Sequence, residues 1–109
     1  MKLIWFLCVA SFILNISRTE TTNAKVHVIT MEGMRFDPKV LEINVGETVR
    51  WINLSNSTHN VIAYDKSFQS KMLPTKGGVF EHTFRITCES VYFCQPHKLM
   101  GMKGKIIVK

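Results

Sequence analysis

Four side chains able to bind a soft metal are unevenly spread along the chain. Cys94, His97 and Met102 fall within nine residues, on a segment closed by Pro96 and Gly101, and His59 stands at the head of an earlier β-rich run. Imidazole and thiolate serve zinc and copper alike. Thioether sulfur, however, is a poor zinc ligand, and two histidines with one cysteine in a plane plus a weak axial methionine is the arrangement that favours copper. A cysteine ending one strand, a histidine three residues on at a turn and a methionine five further on can converge from a single loop. The fourth donor must come from elsewhere, and His59 can supply it if the strand it opens lies beside the strand ending at Cys94.

The remaining candidates read as structural. Cys88 and Cys94 are six apart in an extended segment, so at ~3.3 Å per residue they sit roughly 20 Å apart, too far for a disulfide, and Cys88 reads as a small buried hydrophobe. His82 shares a face with Phe80 and Phe84 by strand parity, as a partly buried imidazole, and His27 follows Val26 on the outward face of the first strand. Met31, Met34 and Met72 are scattered singly and read as core or rim filler rather than a copper-shuttling surface; Trp51, Phe36 and Phe93 read as core.

The elements that must position these groups are strands. Short β-rich runs alternate with turn residues, and no helical period lasts beyond a turn or two. Strands are expected at residues 25–31, 40–45, 48–53, 59–64, 79–86, 90–94 and 104–108. The second and third would form a hairpin at Gly46-Glu47, and a single helical turn falls near residues 67–72. Along 79–86, Phe80, His82, Phe84 and Ile86 share a core face. Residues 95–103 read as a compact loop. About seven to eight strands at this spacing imply an all-β, Greek-key β-sandwich.

With 109 residues, 46% hydrophobic and 20% charged, the chain suits one packed domain and excludes a large multidomain enzyme or a disordered polymer. Lys2, the apolar run 3–16 and the polar stretch ending at Ala24 have signal-peptide layout, with cleavage expected after Ala24. The run falls short of the ~20 residues of a membrane-spanning helix. An uncleaved anchor is the alternative, and either way the rest is exported, with the periplasm the expected compartment. Residues 25–109 then form the single mature domain, where twelve Lys or Arg against seven Asp or Glu leave a net charge of +5. The basic residues are dispersed, with no arm for nucleic acid and no glycine-rich phosphate loop.

Cys94-Gln95-Pro96-His97, then Met102-Lys103-Gly104-Lys105-Ile106, preceded by His59-Asn60-Val61, resembles the small blue copper proteins, the cupredoxins. The stretches Phe36-Asp37-Pro38, Ile43-Asn44-Val45-Gly46-Glu47-Thr48-Val49 and Trp51-Ile52-Asn53 resemble the family's opening strands. The resemblance implies one copper ion cycling between Cu(II) and Cu(I), with His59, Cys94 and His97 as equatorial ligands. Met102 has the axial spacing of the plastocyanin and pseudoazurin branches and Met100 that of the shorter amicyanin loop; the register of the following strand favours Met102. Met100 would then join Pro96 and Leu99 in an apolar rim around the exposed edge of His97. Asn60 would tie the two ligand-bearing segments together.

Four protein ligands leave no open position for a substrate, so the expected role is single-electron transfer between redox partners rather than enzymatic catalysis. Lys98 and Lys103 would steer a partner with an acidic docking surface toward a monomer without a membrane span. A copper carrier delivering metal rather than electrons is the alternative.

Overall fold

Alternation of inward apolar and outward polar residues drives two sheets together. In the computed structural model, which describes residues 25–109, β1 (Val26–Glu32), β2 (Arg35–Asp37), β4 (Thr48–Asn53) and β6 (Gly78–Thr83) form one sheet in the order β2-β1-β4-β6. The second sheet runs β3-β8-β7-β5, from β3 (Val40–Ile43), β8 (Lys103–Val108), β7 (Cys88–Phe93) and β5 (Ile62–Ala63). The expected all-β sandwich is present, with mixed sheets: β1 pairs with β4 and β3 with β8 in parallel, and the other pairs are antiparallel. The expected signal peptide lies outside the described residues.

Strands β4, β7 and β8 turn every second residue inward, so Val49, Trp51, Tyr92, Ile106 and Val108 meet Ile29 and Met31 of β1 in the core. Trp51 is its centre, with ring centroids 5.3 Å from Tyr92, 5.5 Å from Phe68 and 5.6 Å from Phe80, and Phe36 meets Tyr92 edge-on at 4.7 Å. Edge-on and tilted aromatic pairs at this spacing add to the area they bury.

Several local expectations fail for tertiary reasons. The strands on either side of Gly46-Glu47 are not a hairpin: β3 pairs with β8, β4 with β1 and β6, and the turn carries the chain from one sheet to the other. Besides the turn's own Glu47 N–H to Asn44 O bond (3.1 Å), Val45 N–H donates to Lys109 O (3.1 Å) and Gly46 N–H to Phe84 O (2.7 Å), because each strand buries its apolar face better in a different layer. No helix forms over 67–72; there Phe68 and Ser70 are buried and the backbone bonds back onto Val61 and Ala63. The strand expected at 59–64 shrinks to Ile62–Ala63, β6 ends at Thr83, and the short β2 forms at the Phe36-Asp37 stretch that the family resemblance, not the local strand pattern, pointed to. The loop after Cys94 is a 3-10 helix, Gln95–Met100.

Two side chains, Phe93 and His27, differ from their expected settings. Phe93 is half-buried rather than core, lying 4.7 Å from the Tyr64 ring with the Lys98 ammonium 4.6 Å from its centroid. Met34 and Met72 are 47% exposed, whereas Met31 is fully buried. His27 is not simply solvated: its Nε2 lies 2.8 Å from Glu47 Oε1, which also accepts the Asn44 N–H at 2.9 Å. His82, half-buried as expected, stacks 4.8 Å from Phe68, and burial lowers its pKa.

The Asn44 N–H foremost, and the His27 ring, hold the Glu47 carboxyl below its ordinary value of 4.5. A lowered native pKa contributes stability that is complete above the ordinary value and fades as pH falls through the lowered one. Glu47→Gln should therefore flatten the acid limb of a stability-against-pH profile below about pH 4.5 and leave neutral-pH cooperativity intact.

Candidate metal centre

The strand ends at one pole of the sandwich bring the donors together. β7 delivers Cys94 one residue past its end, and the ladder continues across it, Cys94 N–H donating to Met102 O at 3.1 Å. Pro96 then starts the 3-10 turn, as proline can where no N–H is needed. A 3-10 turn closes three residues on, so His97 N–H donates to Cys94 O (3.2 Å) and the imidazole folds back over the thiol. Gly101, at φ 80°, takes the left-handed conformation that ends the turn and lets Met102 N–H reach His97 O at 3.3 Å. The three-residue spacing of Cys94 and His97 is thus the period of the turn that carries them.

His59 comes from the other side. It does not lie within a strand; an isolated bridge to Leu73 holds it, with Leu73 N–H donating to His59 O at 2.7 Å. β5, three residues on, pairs with β7, which supplies the adjacency that Cys94 requires. The His59 ring is oriented by Nε2 donating to Gly33 O at 2.8 Å, so the lone pair of Nδ1 faces the cysteine.

The result is compact. Cys94 Sγ lies 3.5 Å from His59 Nδ1 and 3.6 Å from His97 Nδ1, the two rings are 4.8 Å apart, and one donor atom from each residue falls within 4.8 Å of the others. Two donors at the ~2.0–2.3 Å typical of metal bonds to imidazole and thiolate, spread at tetrahedral to trigonal angles, would be separated by about this much. The donor set therefore fits one soft or borderline ion. Among the described residues no other group of His, Cys, Asp and Glu does so.

Burial sets the electrostatics. It pushes the Cys94 thiol pKa up, partly offset by the backbone N–H groups of Asn60 and His97, and it lowers the pKa of His59 against the pull of Gly33. Cys94 and His59 are fully buried, Met102 is 1% exposed, and His97 alone is half-exposed. The alternative thioether, Met100, is 65% exposed, with Leu99 beside it wholly exposed. Asn60 accepts the Gln95 N–H on Oδ1 at 2.8 Å, joining the two ligand-bearing segments. Cys94 is a free thiol, so no bridge to Cys88 exists.

Asn53 escaped sequence reasoning. Fully buried at the end of β4, it donates through Nδ2 to Ser57 O (2.9 Å), Leu73 O (3.2 Å) and Pro74 O (3.2 Å), and its Oδ1 accepts from the N–H and hydroxyl of Ser55. It fastens the loop before His59 to the segment that bridges His59. The signal was an Asn ending a strand before Ser-Asn-Ser, the composition of side-chain-bonded turns. Asn53→Ala should cost about 2 kcal/mol, because buried carbonyls lose a donor, and chemical denaturation of the copper-free protein would show it.

Two facing β-sheets with a buried His-Cys-His cluster at one pole define a metal-binding sandwich of cupredoxin type. The model for copper-binding proteins of the plastocyanin/azurin family matches residues 22–109, and the chain belongs to that family, which binds copper. It is 35% identical over 97 residues to halocyanin of Natronomonas pharaonis, covering 83% of this chain and 60% of halocyanin. It is 34% identical over 87 residues to amicyanin of Paracoccus versutus, covering 75% and 64%. The chain thus spans about three-fifths of the length of these curated relatives. Among solved structures, a purple cupredoxin from Nitrosopumilus maritimus is similar at TM-score 0.69 and 30% identity, covering 76% of this chain and 99% of that one. An oxidized amicyanin variant is similar at TM-score 0.69 and 26% identity, covering 76% and 81%.

Proposed function

We propose that His59, Cys94 and His97 hold one copper ion with Met102 as the weaker fourth ligand, and that the protein carries single electrons between redox partners outside the cytoplasm. The observation that carries this reading is the enclosed convergence of two imidazole nitrogens and one thiol sulfur, with only His97 reaching the surface. Copper, when bound, supplies a one-electron couple. The chain's part is to keep the donors where they are in both oxidation states: Gly33 O fixes the His59 ring, Asn60 fixes Gln95, and the β7-β8 ladder fixes Cys94 against Met102. Burial of Met102 and exposure of Met100 support Met102 as the thioether that would complete the donor set.

The His97 edge is the exit for the electron, with exposed Leu99 and Met100 beside it as an apolar contact. Lys98 and Lys103 flank it and suit a partner with an acidic docking surface, so long-range attraction should fade with salt. We place the protein in the periplasm or an equivalent exported compartment, as a monomer cleaved after Ala24. Among the described residues no helix is long and apolar enough to cross a membrane.

The test is the visible spectrum of the purified protein loaded with Cu(II), followed by ascorbate and then ferricyanide. An intense band that bleaches and returns supports an electron carrier. A colourless protein that retains only Cu(I) or Zn(II) overturns it in favour of a metal carrier or a structural site.

A further inference from the structure

With His59 and Cys94 at 0% exposure and Met102 at 1%, the route by which copper reaches its donors is confined to the pole where His97 surfaces. The remaining methionines bear on that route. Apart from Met1 the chain has five: Met31 and Met102 are buried, whereas Met34 and Met72 are 47% exposed and Met100 is 65% exposed. The sequence separates these three widely, but the fold sends all of them to the metal pole. Met34 follows Gly33, whose carbonyl accepts the His59 Nε2–H. Met72 precedes Leu73, which bridges His59. Met100 ends the 3-10 turn that carries His97. Each exposed thioether therefore hangs from a segment that is bonded to, or contains, a donor residue.

Methionine is ordinarily among the more buried residue types, and three exposed at one pole ask for a use. A thioether is neutral, carries no proton to displace and is soft, so it binds Cu(I) weakly and selectively over Cu(II). We propose that Met34, Met72 and Met100 form an entry rim that captures Cu(I) and passes it by way of His97 to Cys94; this rests on the copper-site reading above. The transfer is ligand exchange: sulfur–copper bonds at the rim break as the Cys94 sulfur–copper bond forms, the Cys94 thiol releases its proton to solvent, and no electron moves.

The competing use of the same residues is apolar contact with a redox partner. Leucine separates the two, since it keeps the apolar bulk and removes the sulfur. Copper-free protein is mixed with Cu(I) held by a sulfonated bathocuproine chelate under nitrogen, and uptake is followed by loss of the chelate's colour. The triple variant Met34→Leu, Met72→Leu, Met100→Leu is expected to load about tenfold more slowly, having lost the local concentration that the rim provides, with Cu(II) uptake unchanged. Equal Cu(I) rates, or equal slowing for both ions, overturn the proposal. A second measurement does not depend on the copper site: Ag(I) is titrated into the Cys94→Ser variant while the methionine methyl resonances are observed. Shifts at Met34, Met72 and Met100 with Met31 silent support the rim, and shifts confined to Met102, or none, overturn it. If the unmutated protein takes up neither copper ion, the copper-site reading fails, and the silver titration still decides the rim.

Discussion

Cys94→Ser is expected to remove the intense visible absorption of the Cu(II)-loaded protein and to leave at most a weakly bound, pale ion. The thiolate is the anionic, soft member of the donor set, placed 3.5 and 3.6 Å from the two imidazole nitrogens. A serine hydroxyl in the same enclosure stays protonated and hard, and burial that already raises the thiol pKa opposes its ionisation further. Affinity should fall by more than the roughly 10–100-fold that loss of an outer-shell partner costs. Side-by-side spectra and competition with a copper chelator check this. Retained colour in the serine variant would assign the absorption to something other than the Cys94 thiolate and overturn this reading of the site.

The largest effect on stability is expected from Gly104→Ala. Gly104 faces Tyr92 across the β7-β8 ladder, and the phenol ring lies over it. A Cβ there would sit 2.3 Å from Tyr92 Oη and 2.4 Å from Cζ, in a ring that is fully buried against Trp51 and Phe36. Neither partner can yield cheaply. The cost should be about 3 kcal/mol, the upper end of overpacking penalties, read as a shift in denaturant midpoint. Tyr92→Phe removes the nearest of the clashing atoms, so in that background the penalty should drop by about 1 kcal/mol, a coupling visible in a double-mutant cycle. An additive cycle would place the strain elsewhere. Because Gly104 stands two residues after Met102, the same shift should also perturb the spectrum of the copper-loaded protein.

Much of the metal pole was legible in the residues themselves. A thiol, two imidazoles and a thioether have donor chemistry that does not depend on the fold, and the spacing of Cys94 and His97 is a local matter because one 3-10 turn contains both. The alternating pattern of β4 and β7 likewise announced half-buried strands, since side chains on a strand must point to opposite faces.

Partner choice was not local. The turn at Gly46-Glu47 is compatible with a hairpin or with a crossing between sheets, and only the burial available in each layer selected the crossing. A helical turn over 67–72 lost to the burial of Phe68 beneath Trp51. Asn53 showed its value only once Ser57, Leu73 and Pro74, remote from one another in part, were gathered around one amide.

The sequence by itself determined which atoms could bind a metal and which metal they favour, because ligand softness belongs to the side chain. The tertiary structure alone decided that His59 meets Cys94, that Met102 is buried while Met34, Met72 and Met100 are left in solvent, and that Gly104 lies under Tyr92. Each of these depends on strands far apart in the chain burying their apolar faces against one another, an energy that no local segment contains.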